Sequence, residues 1–159
     1  MFKFLFRNDK GSNPYWYFCG MSTLNIKDLQ FDLDHQLKAF DFGDNPKELY
    51  DPIRYILSLG GKRLRPILAI LSAAMYDRQG EDVIKASLAV EIFHNFTLMH
   101  DDIMDEAPLR RGQATVHEKW NENIAILSGD VMMVKAYDSL LLLPGDQFKE
   151  AVKVFNVCS

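Results

Sequence analysis

The sequence predicts an all-α fold, and three observations carry that expectation. From Asn25 onward, apolar residues recur at spacings of three and four, the period of a helix face. Residues that start and stop helices fall between those stretches, with Asn45-Pro46 before one, Gly60-Gly61 after it and Pro108 after another. No stretch alternates apolar and polar residues as a half-buried strand does, and no internal repeat is visible.

The elements follow in order. In NIKDLQFDLDHQLKAF, residues 25–40, Ile26, Leu29, Leu33, Leu37 and Phe40 share one stripe. Residues 44–61 form a second expected helix. Pro52 within it should kink or restart the spiral, because it removes a backbone donor and crowds the preceding turn. RPILAILSAAMYD, from Arg65, is a short, strongly apolar helix. The longest helix is expected from about Glu81 to Ala107. Its apolar residues, from Val83 and Ile84 through Leu98 and Met99, cover nearly every face, so it should be central and surrounded. His94, Asn95 and Thr97 must then find partners or line a cavity. A polar loop with Arg110, Arg111 and Gly112 follows, then a short helix in TVHEKWNE and a long one in NIAILSGDVMMVKAYDSLLLL. DQFKEAVKVFN begins another. Gly129 lies inside a helix, at about 1 kcal/mol below alanine, and so marks a close helix approach. Asp130 beside it is expected to be a buried, structural polar group.

Residues 1–20 read differently. They are aromatic, broken by Gly11-Ser12-Asn13-Pro14, and without helical period. FKFLF is too short for the apolar core of a signal peptide. The segment is expected to be an atypical tail from a start codon placed too early, with Met21 as the natural start. A membrane-touching or partner-binding segment is the alternative. Residues 21–159 then form one partial domain.

Composition narrows the class. The 159 residues are 48% hydrophobic and 25% charged, ordinary values for a globular domain with a core. A net charge of −4 argues against a nucleic-acid binder. No apolar run approaches the roughly 18 residues of a transmembrane helix. Cys19 and Cys158 fit neither a disulfide framework nor a zinc site, which points to a reducing cytoplasm.

The chemistry concentrates in HDDIMDEAPLRRG, residues 100–112. Asp101 and Asp105 are one helical turn apart and share a face. Like charges so placed repel, and the helix C-terminus already favours cations. A bound cation would relieve both penalties. Oxygen-only ligands select hard metals, and Mg²⁺ in particular takes one or two carboxylates and completes its shell with water and phosphate. A solvated acidic helix end is the plain alternative. Arg110 and Arg111 tilt the balance, because guanidinium groups grip phosphate oxygens in a two-point geometry. An earlier cluster, GGKRLRP at residues 60–66, pairs two glycines with Lys62, Arg63 and Arg65. Alone it would read as a basic helix end, and it is not a Walker loop.

Together GGKRLRP, His94, DDIMD and RRG, in that order, resemble the trans-isoprenyl diphosphate synthases, or polyprenyl synthetases, from about Leu29 to the C-terminus. The resemblance implies an isoprenoid synthase-type helical bundle around a deep cavity, a homodimer when full length. It implies that Lys62, Arg65, His94 and Arg111 hold the diphosphate of isopentenyl diphosphate, and that Arg110 grips that of an allylic diphosphate. Asp101 and Asp105 match Mg²⁺ ligands, with Asp102 supporting them or joining as a third. The implied reaction is ionisation of the allylic diphosphate, attack on the allylic cation by the isopentenyl double bond, and loss of a proton. Asp101, Asp105 and Arg110 are then the catalytic set. Phe96 and Thr97, just upstream of the aspartates, match the floor that limits chain length, and the pattern resembles short-chain enzymes making C15–C20 prenyl diphosphates.

The family carries a second aspartate-rich motif that this sequence lacks, so the chain is read as an incomplete, N-terminal half. It is expected to be inactive alone and to leave Leu140 to Leu143 uncovered. The alternative is a non-catalytic or truncated partner subunit of a full-length synthase. Two enzymatic rivals fit less well. An HD-type phosphohydrolase would use His100-Asp101, with Asp130 and His35, and leaves GGKRLRP and RRG unexplained. A terpene cyclase needs no isopentenyl site, and Lys62, Arg65 and Arg111 argue against it.

Overall fold

The computed structural model describes residues 25–158, so the expectations for residues 1–20 and Met21 lie outside the described residues. Seven helices and one small hairpin follow in order: α1 (Ile26–Ala39), α2 (Lys47–Ser58), α3 (Leu64–Ala74), α4 (Glu81–Met104), β1 (Leu109–Arg110), β2 (Gln113–Ala114), α5 (Val116–Lys119), α6 (Glu122–Leu141) and α7 (Gly145–Cys158).

Asn25 caps α1, its side chain accepting from the Lys27 amide. Leu29, Leu33 and Leu37 are buried as their spacing requires, whereas Ile26, in the first turn, is 54% exposed. Pro52 neither breaks nor restarts α2, which runs unbroken through it. The carbonyl deprived of a donor is that of Glu48, in the exposed first turn, where water can serve it. Pro52, Ile53, Ile56 and Leu57 turn inward.

α4 is the central helix, packing on α6 along its length and on α3, with α1, α2 and α5 also touching it. The α4–α6 contact is close because α6 turns Ala125, Ser128, Gly129, Met132 and Ala136 inward. A Cβ on Gly129 would overlap the His100 imidazole, so the glycine does mark a close approach. Asp130 departs from expectation: its side chain is 53% exposed, because it lies one position past the buried face. α7 folds back so that Phe155 meets Phe93 and Tyr137, at 5.0 and 5.2 Å between ring centres. It covers Leu140 and Leu143 but leaves Leu141 and Leu142 exposed, so only half of that apolar run is uncovered.

The expected absence of strands fails at one point. α4 stops at Met104, three residues early, in a Schellman turn: Glu106 takes a left-handed φ of 49°, its amide bonds Ile103 O, and the Ala107 amide bonds Asp102 O at 2.9 Å. The chain then reverses through a hairpin pairing Leu109 with Ala114 and Arg110 with Gln113. Its two loop residues, Arg111 and Gly112, have φ of 53° and 77°, the double positive signature of a type I′ turn. The Tyr55 hydroxyl donates to Ala114 O at 2.7 Å and the Thr115 hydroxyl to Ala107 O at 2.8 Å, which fix the hairpin against α2 and the end of α4.

Candidate functional site

Two charged regions lie along the exposed side of α4. The first is an open cleft of about 480 Å³ lined by Gly61, Lys62, Arg63, Leu64, Arg65, Glu91, His94 and Arg111. Lys62, Arg65, His94 and Arg111 thus arrive together from the turn before α3, from α3 itself, from α4 and from the hairpin. Arg65 Nη1 lies 3.0 Å from His94 Nε2. A guanidinium only donates, so the imidazole accepts there and keeps its proton on Nδ1. Burial first, then the field of Arg65, holds the His94 pKa below its ordinary 6.5. Arg111 is likewise pushed down, by desolvation and then by Arg63 and Arg110. Lys62, Arg65, His94 and Arg111 gathered in one cleft are arranged to receive an anion. The Arg111 guanidinium lies so close to Gly61 that a Cβ there would sit 2.9 Å from Nη1, and the backbone at Gly61 holds a φ of 157° that L residues rarely adopt.

The second region is the C-terminal end of α4. Asp101 and Asp105 are exposed, and among the described residues neither has a salt-bridge partner. Asp102 differs sharply. Its side chain is 5% exposed, and both oxygens accept from Arg110, Oδ2 from Nε and Oδ1 from Nη2, each at 2.7 Å. That bidentate pair, above all its hydrogen bonds, raises the Arg110 pKa. The hairpin therefore returns Arg110 to the residue between the two exposed aspartates. Among the described residues no three His, Cys, Asp or Glu side chains form a metal cage. Two exposed carboxylates one turn apart still fit the Mg²⁺ mode in which substrate phosphate and water complete the shell. His94 and Asp101 lie seven residues apart on nearly the same face, about 10 Å along the axis.

The chain-length candidates sit on α4 between these regions. Phe96 is half-buried, its ring 5.2 Å from Phe93 and 4.6 Å from His100. The Thr97 hydroxyl donates to His94 O at 2.8 Å. His100 approaches Ile126 O at 3.3 Å and Asp130 at 3.8 Å, and no metal cage includes it among the described residues.

A third cluster escaped the sequence reading. Arg63, at 4% exposure, bonds Asp34, Glu91 and Leu57 O, and Asn95 donates to Glu91. The signal was present in Glu91, an acid within the apolar stretch AVEIF, because a charge on a buried face requires a partner.

Comparison with known proteins adds the following. A family profile described as Polyprenyl synthetase matches residues 46–159. The chain is 50% identical over 95 residues to a geranylgeranyl diphosphate synthase of Methanosarcina mazei, covering 60% of this chain and 29% of that protein. It is 40% identical over 137 residues to the geranylgeranyl diphosphate synthase of Saccharolobus solfataricus, covering 84% of this chain and 41% of the relative. A solved geranylgeranyl pyrophosphate synthetase from the archaeon Geoglobus acetivorans superposes with a TM-score of 0.77 at 38% identity, over 84% of this chain and 44% of that one. The chain thus spans well under half the length of these relatives. Among the described residues no helix is long and apolar enough to cross a membrane.

Proposed function

Because the chain belongs to the polyprenyl synthetase family, we propose that it carries the diphosphate-binding half of a short-chain prenyltransferase site. The substrates are isopentenyl diphosphate and an allylic diphosphate, and the product is a C15–C20 prenyl diphosphate. The geranylgeranyl diphosphate synthases among its relatives support that product class.

One observation carries the reading: Lys62, Arg65, His94 and Arg111 line a single cleft on the same helix that ends in the exposed pair Asp101 and Asp105. In this reading the cleft holds the diphosphate of isopentenyl diphosphate. Lys62 and Arg65 contribute charge, Arg111 a fork, and His94 a proton donor once an anion raises its pKa. Arg110, oriented by Asp102, points its remaining N–H groups at the allylic diphosphate and stabilises the charge that grows on the leaving oxygen. Mg²⁺ bound by Asp101 and Asp105 would supply further stabilisation to that same diphosphate. The half-buried rings of Phe96 and Phe93 exclude water from the side of α4 where the growing chain would lie.

The reading is tested by calorimetric titration of the chain with isopentenyl diphosphate, with and without Mg²⁺. Binding that Lys62→Ala weakens tenfold or more is expected. Binding indifferent to that substitution refutes the assignment. We also assign a subunit interface to α6, where Leu127, Val134 and Leu141, spaced by sevens, are each more than half exposed.

A further inference from the structure

Three N–H groups of the Arg63 guanidinium are spent inside the protein. Nε donates to Asp34 on α1 at 2.8 Å, Nη1 to Glu91 on α4 at 2.8 Å, and Nη2 to the Leu57 carbonyl at the end of α2 at 3.0 Å. The Arg63 and Glu91 side chains are 2% and 5% exposed. Asn95 closes the network by donating to Glu91 Oε1 at 3.1 Å. Burial alone would lower the Arg63 pKa, but the hydrogen bonds to Asp34 and Glu91 outweigh it and raise it. Three of its N–H groups are thus committed to Asp34, Glu91 and the Leu57 carbonyl, and almost none of the side chain reaches solvent. Arg63 is therefore no anion ligand, although its neighbours Lys62 and Arg65 face the cleft.

Its backbone explains the connection. Arg63 is the N-cap of α3 and holds a left-handed φ of 49°, a conformation that opposes an ordinary side chain by about 1–2 kcal/mol. That left-handed turn sets the directions in which Lys62 and Arg65 leave the chain. On the other side, Gln30 donates to Gly61 O at 2.8 Å. Buried ion pairs add little net stability compared with apolar residues of similar volume, and their best use is to specify geometry.

We propose that Arg63, with Glu91 as its buried counter-ion, is a positioning residue that fixes the left-handed turn presenting Lys62 and Arg65 to a diphosphate. This rests on the reading of the cleft as a diphosphate site. The test replaces both partners, Arg63→Met with Glu91→Leu, so that no buried charge is stranded; Asp34, 35% exposed, stays within reach of solvent. Affinity for inorganic diphosphate is measured by calorimetry well below the melting midpoint, beside wild type and Lys62→Ala. The expected result is a cooperatively folded double variant whose affinity is at least tenfold weaker, with Lys62 and Arg65 intact. A merely structural role would lower the melting midpoint and leave that affinity alone. A folded double variant that binds like wild type overturns the proposal. Should the double variant fail to fold, Arg63→Lys decides. It keeps the charge but cannot make three fixed bonds, so a several-fold loss supports positioning and wild-type affinity overturns it. Wild-type binding absent, or unaffected by Lys62→Ala, refutes the diphosphate reading itself, and the positioning role falls with it.

Discussion

Asp102→Asn separates three neighbouring aspartates that look alike in sequence. In the native chain, Asp102 accepts two bonds from Arg110 at 2.7 Å while 5% exposed. Hydrogen bonds to charged groups contribute about 1.5–3 kcal/mol each. Asparagine keeps one acceptor, and its NH₂ faces the guanidinium donor against donor. Breaking a fully buried pair costs about 3–5 kcal/mol. Here 23% of the Arg110 side chain reaches water, which puts the loss lower, at about 2–3 kcal/mol. For a chain of this size, that is a fall of roughly 5–10 °C in melting midpoint. Thermal denaturation followed by circular dichroism measures it. Asp101→Asn and Asp105→Asn are the controls. Both residues are exposed, and a shift within about 2 °C is predicted for each. Mg²⁺-dependent diphosphate binding should reverse the ranking of effects between metal-side and supporting residues: the two exposed aspartates are needed for the metal dependence, and Asp102 is not. A midpoint for Asp102→Asn within about 1 °C of wild type would refute the buried-pair argument.

Three further predictions follow from the same geometry. Gly61→Ala should lower the melting midpoint, since Gly61 holds a φ of 157° that L residues rarely adopt, and should weaken diphosphate binding several-fold as Arg111 is displaced; equal affinity in calorimetry would show that the Gly61–Arg111 approach is irrelevant to the anion. His94 has a folded pKa below 6.5, so the unfolded chain binds more protons as the pH falls. Its contribution to stability is complete above pH 6.5 and is lost as the pH drops from there toward the folded value. His94→Gln should therefore show a shallower fall in melting midpoint between about pH 7.5 and 5.5, and an unchanged slope would count against it. Val134→Glu places a charge in the exposed α6 row, and sedimentation analysis should show a shift from dimer to monomer; a wild-type that is already monomeric would remove the interface assignment.

Some of this was legible in the sequence for identifiable reasons. The stripe Leu29, Leu33, Leu37 and the all-round apolarity of α4 encode burial directly, because helix periodicity and burial are the same information. Charge type points to Lys62, Arg65 and Arg111 along with Arg63, the resemblance to the family adds His94 and selects the set, and the cleft gathers all four. What escaped is pairing. Nothing in DDIMD distinguishes Asp102 from its neighbours until the hairpin returns Arg110 to it, and nothing in GGKRLRP says that the middle arginine turns inward. The hairpin itself is too short to alternate, and its turn uses Arg111 where asparagine or aspartate is the usual sign. Asp130 is exposed because it lies one position past the tight contact at Gly129, and neighbours in a helix sequence point about 100° apart.

The hairpin also joins the two charged regions in folding, because Arg110 belongs to one and Arg111 to the other. Arg110 and Asp102 are 8 residues apart, joined by a Schellman turn and a type I′ turn, so this pair can close with little loop entropy once α4 exists. The Arg65–His94 contact spans 29 residues and requires α3 to dock on α4. The Tyr55–Ala114 bond spans 59 residues and holds the hairpin on α2, and the same hairpin supplies Arg111 to the cleft. The aspartate–arginine pair is thus local in sequence but not independent of the bundle. Opening of the hairpin withdraws Arg110 from Asp102 and Arg111 from the cleft together, so anion capture and the order of the carboxylate end are expected to be lost in one step under rising denaturant.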